Sequence, residues 1–243
     1  MKIDVLGVGF DDITPELAVM RAENIIKNNE KAYIVTPNPE IVYMARTDDD
    51  LTAALQNANL VLADGVGITI GARILGTPIM SGRVPGIDFA SKLLEKLAIS
   101  GNSLYLFGAK PGVAKQAGIN LAMKYPGLNI TGECDGYFTD DDPIIDEINR
   151  LSPDVLFVCL GSPKQEIWMA NNLHKLNVKL CAGLGGSLDV FAGNVKRAPV
   201  FFQKAGLEWF YRLICEPRRI GRMMKLPLFV FLVILKRMKI VSR

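Results

Sequence analysis

Short apolar runs alternate with longer amphipathic stretches along most of the chain. The runs are continuously apolar, as is typical of strands covered on both faces, and most are followed by a helical pattern. Strands that alternate with helices predict βαβ units, so we expect an α/β fold: a mostly parallel, Rossmann-like sheet with helices on both faces. The strand-like runs lie at residues 2–10, 33–35, 60–63, 104–107, 155–160 and 179–182.

The alternation stops near Ala198-Pro199, where an aromatic-rich helical segment begins. Further on, residues 226–235 are apolar except for Pro227. This run is too short to span a bilayer as a helix, which needs about 20 residues, and its basic flanks favour a helix lying at a membrane surface. A helix packed on the domain or on a partner subunit is the alternative. We therefore predict an α/β domain at 1–195 and a basic, apolar, membrane-binding C-terminal appendage at 196–243.

Composition and charge narrow the class of protein. The chain has 243 residues, 49% of them apolar, which is ample for one large domain with an appendage. Residues 212–243 carry nine basic side chains and one glutamate, Glu216, so the rest of the chain is net acidic. Such a tail predicts an anionic partner: nucleic acid, phosphate groups or an anionic membrane surface.

The N-terminal run holds Asp4 and lacks a cleavage site, so we interpret it as a strand and not a signal peptide. The four cysteines form no C-x-x-C pair, which is typical of reduced thiols. We expect a cytoplasmic protein. A single histidine, His174, excludes a His-rich metal site.

Polar residues follow several of the predicted strands, at the edge where α/β sheets bind ligands. Asp64 ends a buried strand and could act as a general base or cap the next helix. Thr36 and Asn38 stand between prolines as a preorganised polar pair, although Asn38 could equally cap a helix. Each of these residues therefore has a catalytic and a structural interpretation.

Further candidates lie in three loops. Gly108 and Lys110 belong to a glycine-bearing strand-to-helix loop whose N–H groups could meet phosphate or ribose. Lys164 and Gln165 follow another strand and could hold hydroxyls or phosphate oxygens; capping and solvent exposure are the alternatives for both loops. Arg83 lies in a loop between two glycines, where it could clamp a phosphate or form a surface charge pair.

Two acidic runs, Asp48-Asp49-Asp50 and Asp140-Asp141-Asp142, could suggest an Asp-x-Asp metal site. Both precede helical patterns and neither directly follows a buried strand. We interpret them as helix starts with acidic first turns, and we predict no metal site.

Several of these segments together resemble the WecG/TagA/CpsF family of glycosyltransferases. The matching pieces run in order over nearly the whole chain: Thr36-Pro37-Asn38, Ala63-Asp64-Gly65, Gly82-Arg83-Val84-Pro85-Gly86, Phe107-Gly108-Ala109, Leu160-Gly161-Ser162-Pro163-Lys164-Gln165-Glu166, Gly183-Leu184-Gly185-Gly186, Arg197-Ala198-Pro199, Gly206-Leu207-Glu208-Trp209 and Arg218-Arg219. Within the family, the chain looks most similar to the branch of wall teichoic acid synthesis.

The resemblance implies an inverting transfer of N-acetylmannosamine from UDP-N-acetylmannosamine. The implied acceptor is the 4-hydroxyl of N-acetylglucosamine on undecaprenyl diphosphate, and the product is a β-1,4-linked disaccharide on its lipid. It also implies independence from metal, so we expect no cofactor. We expect the enzyme to lie on the inner face of the cell membrane as a peripheral protein, and a homo-oligomer stays open as an alternative to a monomer.

The resemblance assigns roles to the matching positions. Asp64 would deprotonate the acceptor; Thr36, Asn38 and Gln165 would orient the substrates, and Arg83 would contact the phosphates or the acceptor. Departing UDP develops negative charge that a cation must meet, and we expect the appendage to fold over the site and supply it. The remaining substrate-binding candidates are Gly185, Tyr137 and Asp189 in the body, the latter two beside the uracil, and Arg212, Arg218 and Arg219 in the appendage.

Three alternatives stay open. A related transferase could use UDP-N-acetylmannosaminuronic acid or a glucosyl donor. The glycine-rich turn from Gly65 to Gly71 resembles a dinucleotide fingerprint with one extra residue, which leaves an NAD(P)-dependent oxidoreductase. A nucleic-acid-binding module would fit the basic tail but no recognised motif, so we expect no nucleic acid partner.

Overall fold

The computed structural model describes residues 1–217 and 220–240, without the side chains of residues 222 and 223. Within these residues, six strands form one sheet in the order β4-β3-β8-β7-β5-β6, and all neighbouring strands are parallel. This confirms the predicted α/β class. The strands are β3 Ala32–Val35, β4 Leu60–Val61, β5 Ser103–Gly108, β6 Asn129–Cys134, β7 Val155–Cys159 and β8 Leu180–Gly183.

Helices cover both faces of this sheet. Successive strand residues enter different buried clusters: Ile34 and Phe157 pack on one side, and Val35 and Leu156 on the other. The alternation explains why these runs are apolar without interruption. The helices of the body are α1 Pro15–Lys27, α2 Pro39–Ala45, α3 Asp49–Gln56, α4 Val66–Leu75, α5 Gly86–Ser100, α6 Val113–Lys124, α7 Asp142–Leu151, α8 Lys164–Asn172 and α9 Ser187–Phe191.

The N-terminal run differs from its prediction as a single strand over residues 2–10. It forms an antiparallel hairpin, β1 Lys2–Val5 and β2 Val8–Asp11, separate from the six-stranded sheet. Leu6 and Gly7 make the turn with φ of 54° and 91°. A two-residue turn with both φ values positive matches the twist of a hairpin, which is why the apolar run reverses here.

The C-terminal region is helical, as predicted. It comprises α10 Val200–Lys204, α11 Glu208–Cys215, α12 Ile220–Met223 and α13 Lys225–Arg237. None of the helices in the described part of the chain combines the length and the apolar character needed to cross a membrane.

Helix α13 packs against α4 and α2. Phe229 and Val233 are fully buried and belong to the same cluster as Ile68 of α4. Gly71 permits this approach, because a Cβ there would lie 3.0 Å from the Cζ atom of Phe229. The C-terminal helix therefore contributes to the core of the body.

Basic residues at both ends of α13 also contact the body. Lys236 Nζ lies 2.7 Å from Asp4 Oδ1, and Lys225 Nζ lies 3.5 Å from Glu40 Oε1. The opposite face of α13 is apolar and exposed; it includes Leu228, Phe231, Ile234 and Met238. Helix α13 thus has a face committed to the body and a face open to a partner.

Two phenylalanines of α13 form a matched pair for testing this packing. Phe229→Ala should lower the free energy of unfolding by about 3–5 kcal/mol, because it leaves a cavity in the core. Phe231 is 58% exposed, so Phe231→Ala should change it by less than about 0.5 kcal/mol. Urea denaturation of both variants and wild type measures the difference. Equal losses would show that α13 is not seated on the body through Phe229.

Candidate active site

The carboxyl ends of the parallel strands meet at one edge of the sheet and bring the predicted site residues together. Asp64 follows β4 and Thr36 follows β3. The Asp64 N–H donates to Pro37 O at 3.2 Å, so the two strand ends are directly linked. Val84 N–H donates to Ala63 O at 2.8 Å, which places the Arg83 loop beside them.

The Asp64 carboxyl is surrounded by charged groups of both signs. Its pKa is raised to about 6, chiefly by burial and in smaller part by the nearby carboxylate of Glu208. Arg212, the Gly86 N–H and Arg83 act in the opposite direction and favour the charged form. A carboxylate with a pKa near 6 at a ligand-binding edge can accept a proton at neutral pH, as a general base must.

Thr36 and Gln165 both approach the end of β8. Thr36 Oγ1 donates to Gly183 O at 2.9 Å, and its oxygen can still accept a hydrogen bond. Gln165 Oε1 accepts from Gly185 N–H at 2.9 Å. Gln165 Nε2 donates to Glu166 Oε1 at 2.8 Å and keeps one further N–H. These bonds fix the two side chains predicted to orient substrates.

Glu166 is a buried residue of this edge to which the sequence analysis gave no role. It is fully buried, and burial raises its pKa. Its Oε2 accepts from Ser162 Oγ at 2.8 Å while its Oε1 holds Gln165. The signal in the sequence was its place directly after Gln165, behind a buried strand.

Arg83 lies beside Asp64, yet its guanidinium contacts the appendage. Arg83 Nη2 lies 3.1 Å from Glu208 Oε1 and also donates to Gln203 O. Helix α11 therefore covers this part of the edge and brings Arg212 close enough to influence Asp64. The sequence marked Glu208 only as part of a matching segment, without a chemical role.

Two predicted residues have clear structural roles. Asn38 caps α2, with its Oδ1 accepting from Ile41 N–H at 3.1 Å, as the structural alternative stated. Gly108 has φ of 124°, and a Cβ there would collide with the backbone of Cys159. Glycine is therefore required for the close approach of β5 and β7. Lys110 is exposed in the loop that follows.

A second group of candidates surrounds the ends of β7 and β5. Lys164 Nζ lies 3.3 Å from Gly136 O and 3.7 Å from the centre of the Phe138 ring. The intervening Tyr137 is exposed. Asp189 lies in the first turn of α9, after β8. The candidates thus lie along one edge of the sheet, with Asp64, Thr36 and Arg83 toward the β4 end.

Both acidic runs are helix starts, as predicted. Asp48 caps α3 by accepting from Leu51 N–H at 2.9 Å. Asp141 precedes α7 and accepts from Trp168 Nε1 and Asn172 Nδ2, each at 3.0 Å. The described residues contain no group of three or more His, Cys, Asp or Glu side chains arranged to hold a metal ion. Arg218 and Arg219 lie outside the described residues.

Comparisons with known proteins place this geometry in context. The model of the glycosyl transferase WecG/TagA/CpsF family matches residues 3–243. An N-acetylglucosaminyldiphosphoundecaprenol N-acetyl-β-D-mannosaminyltransferase of Bacillus spizizenii is 38% identical over 84% of this chain and 79% of its own. A protein of the same name from Staphylococcus aureus MRSA252 is 33% identical over 98% of this chain and 94% of its own.

The raised pKa of Asp64 has a consequence for stability. The ordinary pKa of this carboxyl, which applies in the unfolded chain, is 3.8. At pH values above 3.8, the folded protein therefore holds the proton of Asp64 more tightly than the unfolded chain does. Wild-type stability therefore falls as the pH rises from about 4 through about 6. Asp64→Asn removes the cost of burying a charged carboxylate, so the variant should be more stable than wild type at pH 8. We expect a gain on the order of 1 kcal/mol, a small value because the side chain is partly exposed to solvent.

Denaturant unfolding at about pH 4 and pH 8 measures the effect. The advantage of Asp64→Asn should shrink at the lower pH. Asp146→Asn, at an exposed position of α7, is the matched control and should show little change. An Asp64→Asn variant that is less stable than wild type at pH 8 would contradict the raised pKa.

Proposed function

Because the chain belongs to the WecG/TagA/CpsF family of glycosyltransferases, we propose that it transfers N-acetylmannosamine from UDP-N-acetylmannosamine to a lipid-linked acceptor. The acceptor is N-acetylglucosamine on undecaprenyl diphosphate, which the names of the relatives give for those proteins. Its attacking group in our proposal is the 4-hydroxyl. The product is the β-1,4-linked disaccharide of the wall teichoic acid linkage unit. The observation that carries this reaction is the Asp64 carboxyl, partly desolvated at the strand-end edge and faced by arginines.

In the proposed reaction, Asp64 removes the proton from the acceptor 4-hydroxyl. The hydroxyl oxygen attacks the anomeric carbon of the donor sugar from the face opposite UDP. A new C–O bond forms as the bond from the anomeric carbon to the β-phosphate oxygen breaks, which inverts the configuration. Asp64 keeps the proton, and UDP leaves with the bonding electron pair.

The negative charge that develops on UDP needs a positively charged partner in the transition state. Arg212 is our candidate among the described residues, because α11 brings it within electrostatic reach of Asp64. Arg218 and Arg219 remain candidates from the same appendage, and Lys110 is a candidate in the body. We propose that no metal ion takes part.

Other candidates would position the substrates. Thr36 can accept a hydrogen bond from a sugar hydroxyl, and Gln165 can donate one; Asn38 would act beside them. Tyr137, after β6 at the other end of the edge, presents an exposed ring on which uracil can stack, and Asp189, after β8, can accept from the base. Loop 108–110, Lys164 and Gly185 complete the proposed donor site.

We place the enzyme at the inner surface of the cell membrane, where its lipid acceptor lies. In the proposed division into an α/β catalytic domain at 1–195 and an appendage at 196–243, the first supplies the base and the second supplies Arg212 and the membrane-docking surface. The exposed apolar face of α13 supports this, because an amphipathic helix can bury such a face among lipid headgroups. Ile214, Ile220, Met224 and Ile240 of the appendage are exposed as well.

The reaction can be tested by UDP release from UDP-N-acetylmannosamine, with and without a soluble lipid-diphosphate-N-acetylglucosamine analogue. Release should depend on the acceptor, and Asp64→Asn should lower turnover by roughly 10²–10⁴-fold. For wild type, kcat/KM should fall about tenfold per pH unit below pH 6, since the base must be ionised.

The absence of acceptor-dependent release by folded wild type would contradict the proposed donor and acceptor. UDP-N-acetylmannosaminuronic acid and UDP-glucose, offered in the same assay, would then identify a different donor. Full activity of Asp64→Asn would remove Asp64 from the role of base.

Membrane docking can be tested by co-sedimentation with vesicles. Binding should be stronger to vesicles containing anionic lipid than to neutral ones. Phe231→Ser combined with Ile234→Ser should weaken binding about tenfold or more, because two apolar side chains no longer enter the interface. Ile99→Ser, which alters an exposed residue of α5, is the control and should bind as wild type does. Unchanged binding by the double variant would exclude this face.

A further inference from the structure

One arginine connects the body to two helices of the appendage. Arg83 Nη2 is shared between the Glu208 carboxylate of α11, at 3.1 Å, and the carbonyl of Gln203 in α10. The side chains of Arg83 and Glu208 are only 24% and 16% exposed. A partly buried, charge-assisted contact of this kind is stronger than an exposed surface pair.

The turn between these helices also contacts the body, at the start of α4. Gly206 lies in this turn with φ of 70°, and a Cβ on it would lie 3.0 Å from the Cβ of Val66. Val66 begins α4, two residues after Asp64. Besides the packing of α13, the α10–α11 part of the appendage therefore contacts the body at Arg83 and at Val66, close in sequence to the proposed base.

Helix geometry links the Arg83 contact to Arg212. Glu208 and Arg212 are separated by four residues on α11, so their side chains lie on the same face, one turn apart. Anchoring Glu208 to Arg83 consequently turns Arg212 toward the strand-end edge. The charges of Arg212, Glu208 and Arg83 all act on the pKa of Asp64. Arg197, which pairs with Asp88, is also near enough to interact electrostatically with Asp64.

We propose that Glu208 is a positioning residue for the transfer: its ion pair with Arg83 fixes α11 over the strand-end edge and aims Arg212 at the reacting groups. This inference rests on the proposed function, in which Asp64 is the base and Arg212 meets the charge of UDP. It assigns Arg83 a docking role in place of direct contact with phosphate. The hydrogen bond from the Arg83 guanidinium to the Gln203 carbonyl favours the docking role, because this bond joins Arg83 to the appendage.

The two interpretations of Arg83 predict opposite effects of Glu208→Gln. If Glu208 positions α11, its loss should lower kcat for acceptor-dependent UDP release about tenfold. If Glu208 only competed with a phosphate for Arg83, its loss should leave turnover unchanged or raise it. Glu208→Asp keeps the charge and should recover part of the lost kcat.

Double variants test whether the residues act as one unit. Arg83→Gln should lower kcat as much as Glu208→Gln, and the Arg83→Gln/Glu208→Gln variant should be no worse than either alone, within about twofold. In an Arg212→Gln background, Glu208→Gln should likewise change kcat by less than about twofold. Glu95→Gln, at an exposed position of α5, should behave as wild type.

Tryptophan fluorescence follows the docking of α11 without any turnover. The chain has two tryptophans: Trp209, which follows Glu208 and is 38% exposed, and Trp168, which is 5% exposed. Acrylamide should quench wild type and Glu95→Gln alike. Quenching should increase to the same extent in Glu208→Gln, in Arg83→Gln and in the double variant, because α11 separates from the body.

The two assays separate failure of this inference from failure of the proposed function. Wild type without acceptor-dependent UDP release refutes the proposed reaction, and increased quenching in both single variants then still supports the Arg83–Glu208 contact as the anchor of α11. The inference is overturned by wild-type or faster turnover of Glu208→Gln, by additive kcat losses in the double variants, or by unchanged quenching in the single variants.

Discussion

The site depends on the parallel pairing of β3 with β4 and β8, which brings three chain segments to the same edge of the sheet. This register places Asp64, Thr36 and Gly183 within one hydrogen-bonded group, although they are far apart in sequence. At this edge Asp64 is desolvated by burial, with Glu208 and Arg212 of α11 near enough to act on it electrostatically, and its pKa is raised to about 6.

From the sequence we predicted the strands that are buried on both faces, and we missed or misread the strands that are not. β7 and β8 were predicted because every residue of each is buried. β6, at the edge of the sheet, escaped notice because none of its residues is fully buried and its sequence is mixed. The hairpin of residues 2–11 was mistaken for one strand because a two-residue turn with apolar Leu6 leaves the run unbroken.

Similar limits apply to the site. The position of Asp64 at the strand-end edge was predictable because it directly follows a buried apolar run, whereas its role as base was implied by the family resemblance and stays a prediction. The partner of Arg83 was not predictable, since Glu208 lies 125 positions away and only the tertiary fold brings the two together. The basic tail shows the same effect: the sequence assigned its charges to an anionic partner, whereas Lys225 and Lys236 pair with acidic residues of the body. Charge balance alone could not distinguish these uses.

The burial of Phe229 and Val233 in the main core has a consequence for how the protein is made. Helix α13 follows every strand in the sequence, yet its side chains complete the cluster that lies over α4. During synthesis the earlier strands can pair as they emerge, but that side of the core stays open until α13 has left the ribosome. Completion of the α/β body therefore waits for α13, and the apolar surface of α2 and α4 stays uncovered until that helix has been made and has packed.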